Sequence, residues 1–241
     1  MQSDSKTVRV MERDTGIIQV DSVSKIYHQG RVTFRALDRV SLVIEKGEFI
    51  ALAGPSGSGK TTLLNLIGGL DLADEGTVMF NGKDLQKLSD GQRADLRLHQ
   101  IGFVFQAYNL IPVLTAAENV DYILMLQKVD KSTRAASVAS ILEEVGLTDK
   151  ANNRPDEMSG GQQQRVAVAR AVVTDPQVVL ADEPTANLDS KTGKKLLEMM
   201  KEMNRSRQVT FVFATHDPMV MDFADRIVSL QDGRVVSDLR K

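Results

Sequence analysis

From residue 17 to residue 48 apolar and polar positions alternate, with Ile18, Val20 and Val23 followed by Val40, Leu42 and Ile44. Period-two spacing of β-branched residues predicts antiparallel strands, with Gly30 and Gly47 marking the turns. Residues 76–82 (GTVMFNG) predict one more strand, closed by an Asn81-Gly82 turn. Then the period changes. Ser89 to Leu98 and Ala116 to Gly146 have helical spacing, and Gly146 is placed to cap the second stretch. Asn152 to Pro155 reads as a loop. Beyond it, short apolar runs alternate with helical stretches, which argues for a parallel sheet.

Four apolar runs end in residues suited to nucleotide chemistry. Phe49–Ala53 leads into Gly54, and Phe103-Val104-Phe105 ends at Gln106. Val178–Ala181 ends at Asp182-Glu183, and Phe211–Thr215 ends at His216. Open α/β sheets bind ligands beyond the carboxyl ends of their strands. If these four strands are neighbours, their ends share one crevice.

The first run carries the most specific signal. Gly54-Pro55-Ser56-Gly57-Ser58-Gly59-Lys60-Thr61 has the pattern GxxxxGK[ST], set between a strand and the apolar helix opening Thr62-Leu63-Leu64. Glycines let the backbone wrap a polyphosphate with its N–H groups inward, and the helix N-terminus adds partial positive charge. Lys60 is expected on the β- and γ-phosphates and the Thr61 hydroxyl on Mg²⁺. Asp182 is expected to hold Mg²⁺ through its water shell. Glu183 points the other way on an extended strand and suits a general base acting on water.

Composition narrows the classes. The chain has 241 residues and a formal charge of −2, giving no general electrostatic case for a nucleic-acid partner. It has no cysteine, which excludes disulfides, thiolate metal sites and cysteine nucleophiles. No apolar run approaches the ~18 residues of a membrane span. Met1 to Thr15 is polar and mixed, without a signal-peptide core, so a cytoplasmic location is expected. His28 and His99 read as surface residues.

Met158-Ser159-Gly160-Gly161-Gln162-Gln163-Gln164-Arg165 precedes an amphipathic stripe of Val166, Ala169, Val172 and Val173. Ser159 and Gln162 form a capping-box pattern. Two glycines in the first helical turn cost about 1 kcal/mol each. An anion approaching that backbone would account for them. On this reading the chain holds a second anion site.

This segment resembles the LSGGQ signature of ATP-binding-cassette ATPases, with Met158 in place of the leucine. The resemblance runs from residue 17 to 238. It implies an α/β P-loop NTPase fold with a mostly parallel core sheet, an N-terminal antiparallel β subdomain and an inserted helical subdomain at about 90–165. Residues 1–16 would be a flexible tail and 17–241 one domain. It also implies a head-to-tail homodimer with two ATP molecules between the subunits. Each ATP would be held by residues 54–61 and Thr62 of one subunit, and by Ser159, Gly160, Gly161 and Gln162 of the other. Tyr27 resembles the aromatic that stacks on adenine, the lesser alternative being a packing aromatic near a turn. Gln106 resembles the glutamine that approaches Mg²⁺ and the attacking water. Asp189, in Ala186-Asn187-Leu188-Asp189, resembles the aspartate that communicates across the dimer. His216 resembles the histidine that contacts the γ-phosphate.

Residues 68–71, 101–106, 109–112 and 114–120 look like the lipoprotein-releasing and macrolide-export branch, as do residues 36–42. Tyr122-Ile123 departs from the Leu-Pro of many members. The branch implies an ATPase held at the cytoplasmic membrane face by a separate integral-membrane permease. A soluble ATP-dependent switch is the alternative from another class. A simpler P-loop kinase or GTPase would leave residues 158–165 without a use.

Overall fold

A computed structural model describes residues 16–30 and 32–241. The expected tail falls outside the described residues up to Thr15. Gly16, the last residue of the expected tail, is itself buried against Val43 and Ile44.

The elements run in order β1 (Ile18–Gln29), β2 (Val32–Ile44), β3 (Phe49–Ala53), α1 (Lys60–Ile67), β4 (Glu75–Phe80), β5 (Lys83–Asp84), α2 (Asp90–Gln100) and β6 (Ile101–Val104). They continue with α3 (Ala116–Leu126), α4 (Lys131–Glu144), α5 (Gly160–Val172), β7 (Val178–Asp182), α6 (Ser190–Arg207), β8 (Thr210–Thr215), α7 (Pro218–Phe223), β9 (Arg226–Gln231) and β10 (Arg234–Arg240). Two sheets result, ordered β2-β1-β4-β5 and β10-β9-β3-β8-β7-β6. The first is antiparallel, with Ile18 opposite Ile44 and Phe80. In the second, β9, β3, β8, β7 and β6 are parallel and β10 closes antiparallel on β9. The four runs with polar endings are therefore adjacent strands pointing the same way.

Along β3, β8 and β7 both faces of the larger sheet are buried, and residues alternate between two cores. Phe211, Phe213, Val179 and Ala181 face the core shared with α3, α4, α5 and α6. Val212, Ala214, Val178 and Leu180 face the core shared with α1 and the antiparallel sheet. That is why these strands read as continuous apolar runs instead of alternating ones.

The helical stretch from Ala116 to Gly146 is two helices. Lys128 takes φ +61, and the Asp130 carboxylate caps α4 by accepting from the backbone N–H groups of Ser132 and Thr133. Gly146 does cap the second helix. Its N–H donates to Glu143 O at 2.9 Å and Leu147 N–H to Leu142 O at 2.7 Å, with Gly146 at φ +64. Within residues 90–165, Ile101–Val104 is the edge strand of the main sheet.

Arg226 ties the sheet edge together. It donates through Nε and Nη2 to both Asp238 oxygens at 2.7 Å, and through Nη1 to Glu48 and Val43 O. The paired guanidinium holds the Asp238 carboxyl below its ordinary range, against the opposing effect of burial. A lowered carboxyl stabilises the fold above its unfolded pKa, and that contribution is lost as pH falls through the folded value. Because Asp238 is partly exposed, Asp238→Asn should lower Tm by only about 2–4 °C at pH 7. Thermal melts from pH 7 to 3 should show the difference from the parent shrinking.

Candidate functional site

The phosphate-loop residues wrap the N-terminus of α1. Gly54 sits at φ +152 and Gly59 at φ +101, backbone that disfavours any Cβ. At Gly59 a Cβ would also meet Ala36 O at 2.6 Å, so the loop lies directly on β2. Lys60 Nζ donates to Gly54 O and Pro55 O at 2.8 and 2.9 Å, curling over the loop. Ser58 Oγ is buried with no hydrogen-bond partner. Among the described residues, α1 is the only α-helix whose N-terminus no side chain caps. Its first-turn N–H groups form a cradle that fits a phosphate chain.

Beside the cradle, the Thr61 hydroxyl donates to Asp182, 3.1 and 3.0 Å from the two carboxylate oxygens. Burial raises the Asp182 carboxyl above its ordinary value. The Thr61 bond pulls it back, Glu183 adds to the rise and Lys60 opposes it. A partly desolvated carboxylate next to a hydroxyl is a hard oxygen set suited to Mg²⁺. Among the described residues no cluster of three or more His, Cys, Asp or Glu makes an all-protein metal site.

Glu183 leaves β7 at φ +46, which turns its carboxylate away from Asp182 towards β8. Thr215 Oγ donates to it at 3.1 Å and His216 N–H at 3.4 Å, while His216 Nδ1 lies 2.6 Å from Oε1. The carboxylate is mostly buried and the imidazole mostly exposed. A carboxylate fixed on three sides beside an open histidine can take a proton from water.

Gln106 follows β6, and its carbonyl accepts from Asn187 Nδ2 at 2.9 Å. Ser159 caps α5 with the full capping box: its Oγ accepts from Gln162 N–H, and Gln162 Oε1 accepts from Ser159 N–H. The two glycines have a packing reason the sequence did not reveal. A Cβ on Gly160 would lie 2.7 Å from the Tyr108 hydroxyl, and one on Gly161 2.4 Å from Thr192 Cγ2. Asp189 caps α6, accepting from Lys191 N–H, Thr192 N–H and the Thr192 hydroxyl. Tyr27, on β1, donates its hydroxyl to Asp71 Oδ2 at 2.9 Å, in the segment that follows α1. The loop, Asp182, Glu183 and His216 stand on adjacent strand ends, whereas no hydrogen bond joins residues 54–62 to residues 158–162.

A family model described as "ABC transporter" matches residues 37–186. The chain belongs to this family. It is 44% identical over 224 residues to the lipoprotein-releasing system ATP-binding protein LolD of Geobacter metallireducens, covering 93% of this chain and 100% of that one. It is 41% identical over 225 residues to the macrolide export ATP-binding/permease protein MacB of Mannheimia succiniciproducens, covering 93% of this chain but 35% of that one. Among solved structures it resembles the dimeric, post-hydrolysis ATP-binding cassette MJ0796 bound to ADP and Pi. The TM-score is 0.86 at 42% identity, covering 92% of this chain and 98% of the other.

In this ABC chain several supporting residues escaped sequence reading. Gln164 is fully buried and donates to Pro184 O at 2.8 Å, fixing the turn after Glu183. Its only signal was a polar residue on the apolar side of α5. Arg170 donates to Tyr108 O and Asn109 O, two consecutive left-handed residues just past Gln106. Neither partner is visible from spacing, because α5 meets this loop only in the fold.

Proposed function

We propose that the chain is the ATP-hydrolysing subunit of an ABC transporter, that it dimerises on ATP and that it powers a separate membrane permease. The observation that carries this reading is the uncapped N-terminus of α1 beside the Thr61–Asp182 and Glu183–His216 pairs. Residues 54–62 bind the triphosphate through backbone N–H groups and Lys60. Thr61, Asp182 and Gln106 would hold Mg²⁺, which when bound would neutralise charge on the phosphates. Glu183 takes the proton of the attacking water, and His216 orients that carboxylate and meets the γ-phosphate.

Ser159, Gly160, Gly161 and Gln162 of a second copy close the site, with Asp189 at the joint. The dimeric state of the MJ0796 cassette supports this arrangement. ATP closes the dimer, and cleavage of the γ-phosphate bond loosens it.

The names of the LolD and MacB relatives support a permease of the lipoprotein-release or macrolide-export kind. An apolar cavity of about 590 Å³ between α2, α3 and α5, lined by Phe103, Ile111, Tyr122, Leu126 and Phe105, the residue before Gln106, suits a permease segment. No helix among the described residues is long and apolar enough to cross a membrane. On the names of these relatives we place the subunit on the cytoplasmic face of the membrane, held by the permease. In the test, tagged chain is purified from its native membranes. A co-purifying integral-membrane permease should raise its ATPase rate. Full coupled activity on a soluble target without any membrane protein would favour the switch reading instead.

A further inference from the structure

Tyr27 is held by a cluster that the nucleotide chemistry has not used. Its hydroxyl donates to Asp71 Oδ2 at 2.9 Å. Asp71 Oδ1 accepts from Lys25 Nζ at 2.8 Å and from Leu72 N–H at 2.7 Å. Lys25 Nζ also donates to Leu72 O at 2.7 Å and lies 5.3 Å from the centre of the Tyr27 ring, over its face. Asp74 anchors the same strand by accepting from Ile26 N–H at 2.5 Å. Burial alone would raise the Asp71 carboxyl, yet the donations from Lys25, Leu72 N–H and Tyr27 hold it low, so it stays an anionic acceptor at neutral pH.

Residues 70–74 connect α1, which begins on the phosphate loop, to β4, which pairs with β1. The cluster therefore links the helix that receives phosphates to the strand that carries Tyr27. A tyrosine near the end of a hairpin would ordinarily sample several rotamers. Here the hydroxyl is tethered and the Lys25 ammonium takes one face of the ring. With 38% of the residue exposed, the opposite face is left for a flat ligand.

We propose that Lys25 and Asp71 are positioning residues that lock the Tyr27 ring as a one-faced platform for the nucleotide base, at a fixed distance from the phosphate loop. The proposal rests on reading Tyr27 as the base-stacking residue. A preorganised ring lowers the ordering cost of binding, so the cluster acts on base-dependent affinity and not on the phosphates.

Calorimetric titration of the full chain with Mg·ATP and with tripolyphosphate, which has no base, separates the two. Tyr27→Ala should weaken ATP by about 10-fold and leave tripolyphosphate within about 2-fold. Asp71→Asn should weaken ATP by about 3–5-fold, spare tripolyphosphate, and add nothing to Tyr27→Ala in the double variant. If Asp71→Asn does not fold, Tyr27→Phe keeps the ring, cuts the tether from the other side and should give the same 3–5-fold loss. Unchanged ATP affinity in Tyr27→Ala would remove the base-stacking reading itself. If Tyr27→Ala weakens ATP, the lock is overturned by any of three results: no loss in Asp71→Asn or, should that variant not fold, in Tyr27→Phe; equal losses for ATP and tripolyphosphate; or effects that add in the double variant.

Discussion

Glu183→Gln is expected to bind ATP within about 2-fold of the parent and to hydrolyse it about 10²–10⁴-fold more slowly, the range set by loss of a positioned base. Glutamine has the shape of glutamate, and the surroundings that fix the side chain survive the change. Thr215 and the His216 N–H can still donate to its oxygen, as they do to the Glu183 carboxylate at 3.1 and 3.4 Å. The amide can meet His216 Nδ1 by donating to it, with the imidazole proton moved to Nε2. The left-handed turn at residue 183 rests on its N–H bond to Ala214 O at 2.9 Å and on the Gln164–Pro184 bond, neither of which involves the replaced atoms. Only the capacity to take a proton is lost. On the proposal that cleavage loosens the dimer, the variant should accumulate as an ATP-bound dimer in size-exclusion chromatography with light scattering. Near-parental turnover would remove Glu183 from the role of base.

What the sequence made legible follows from which interactions are local. Period-two runs, the Asn81-Gly82 turn, the Ser159 capping box and the Gly146 cap are set within a few residues of chain, and each stands where its pattern put it. The four polar strand endings were readable singly, and their convergence needed only that the strands be neighbours and parallel. The break at 127–130 was missed because apolar spacing persists across it, although the Asp130 cap signal was present. Residues that act through distant partners left no sign of those partners. Gln164 under Pro184, Arg170 on the Tyr108–Asn109 turn and Lys25 on Asp71 join segments 20 to 62 residues apart. Their partners are chosen by the packing of helices on the sheet, and no spacing in the chain records it.

The glycines at 160 and 161 have a packing reason beside the anion contact that their motif suggests. Gly161→Ala should destabilise the chain by about 1–3 kcal/mol, because its Cβ would lie 2.4 Å from Thr192 Cγ2. On an exposed helix the same change would be favourable by about 1 kcal/mol. Thr192→Ser deletes the offending methyl and keeps the hydroxyl that donates to Asp189 at 2.6 Å. The double variant should therefore recover most of the lost thermal stability. Hydrolysis provides the separate readout. If Gly161 serves only to let α6 approach α5, the double variant recovers turnover along with stability. If the backbone at 161 must also meet the γ-phosphate of a partner's ATP, the added methyl still blocks that approach. Turnover should then stay at least about 10-fold down, as expected for a lost electrostatic contact in phosphoryl transfer. Recovery of stability without turnover is the result expected here. It would separate the packing constraint inside one subunit from the anion constraint between two.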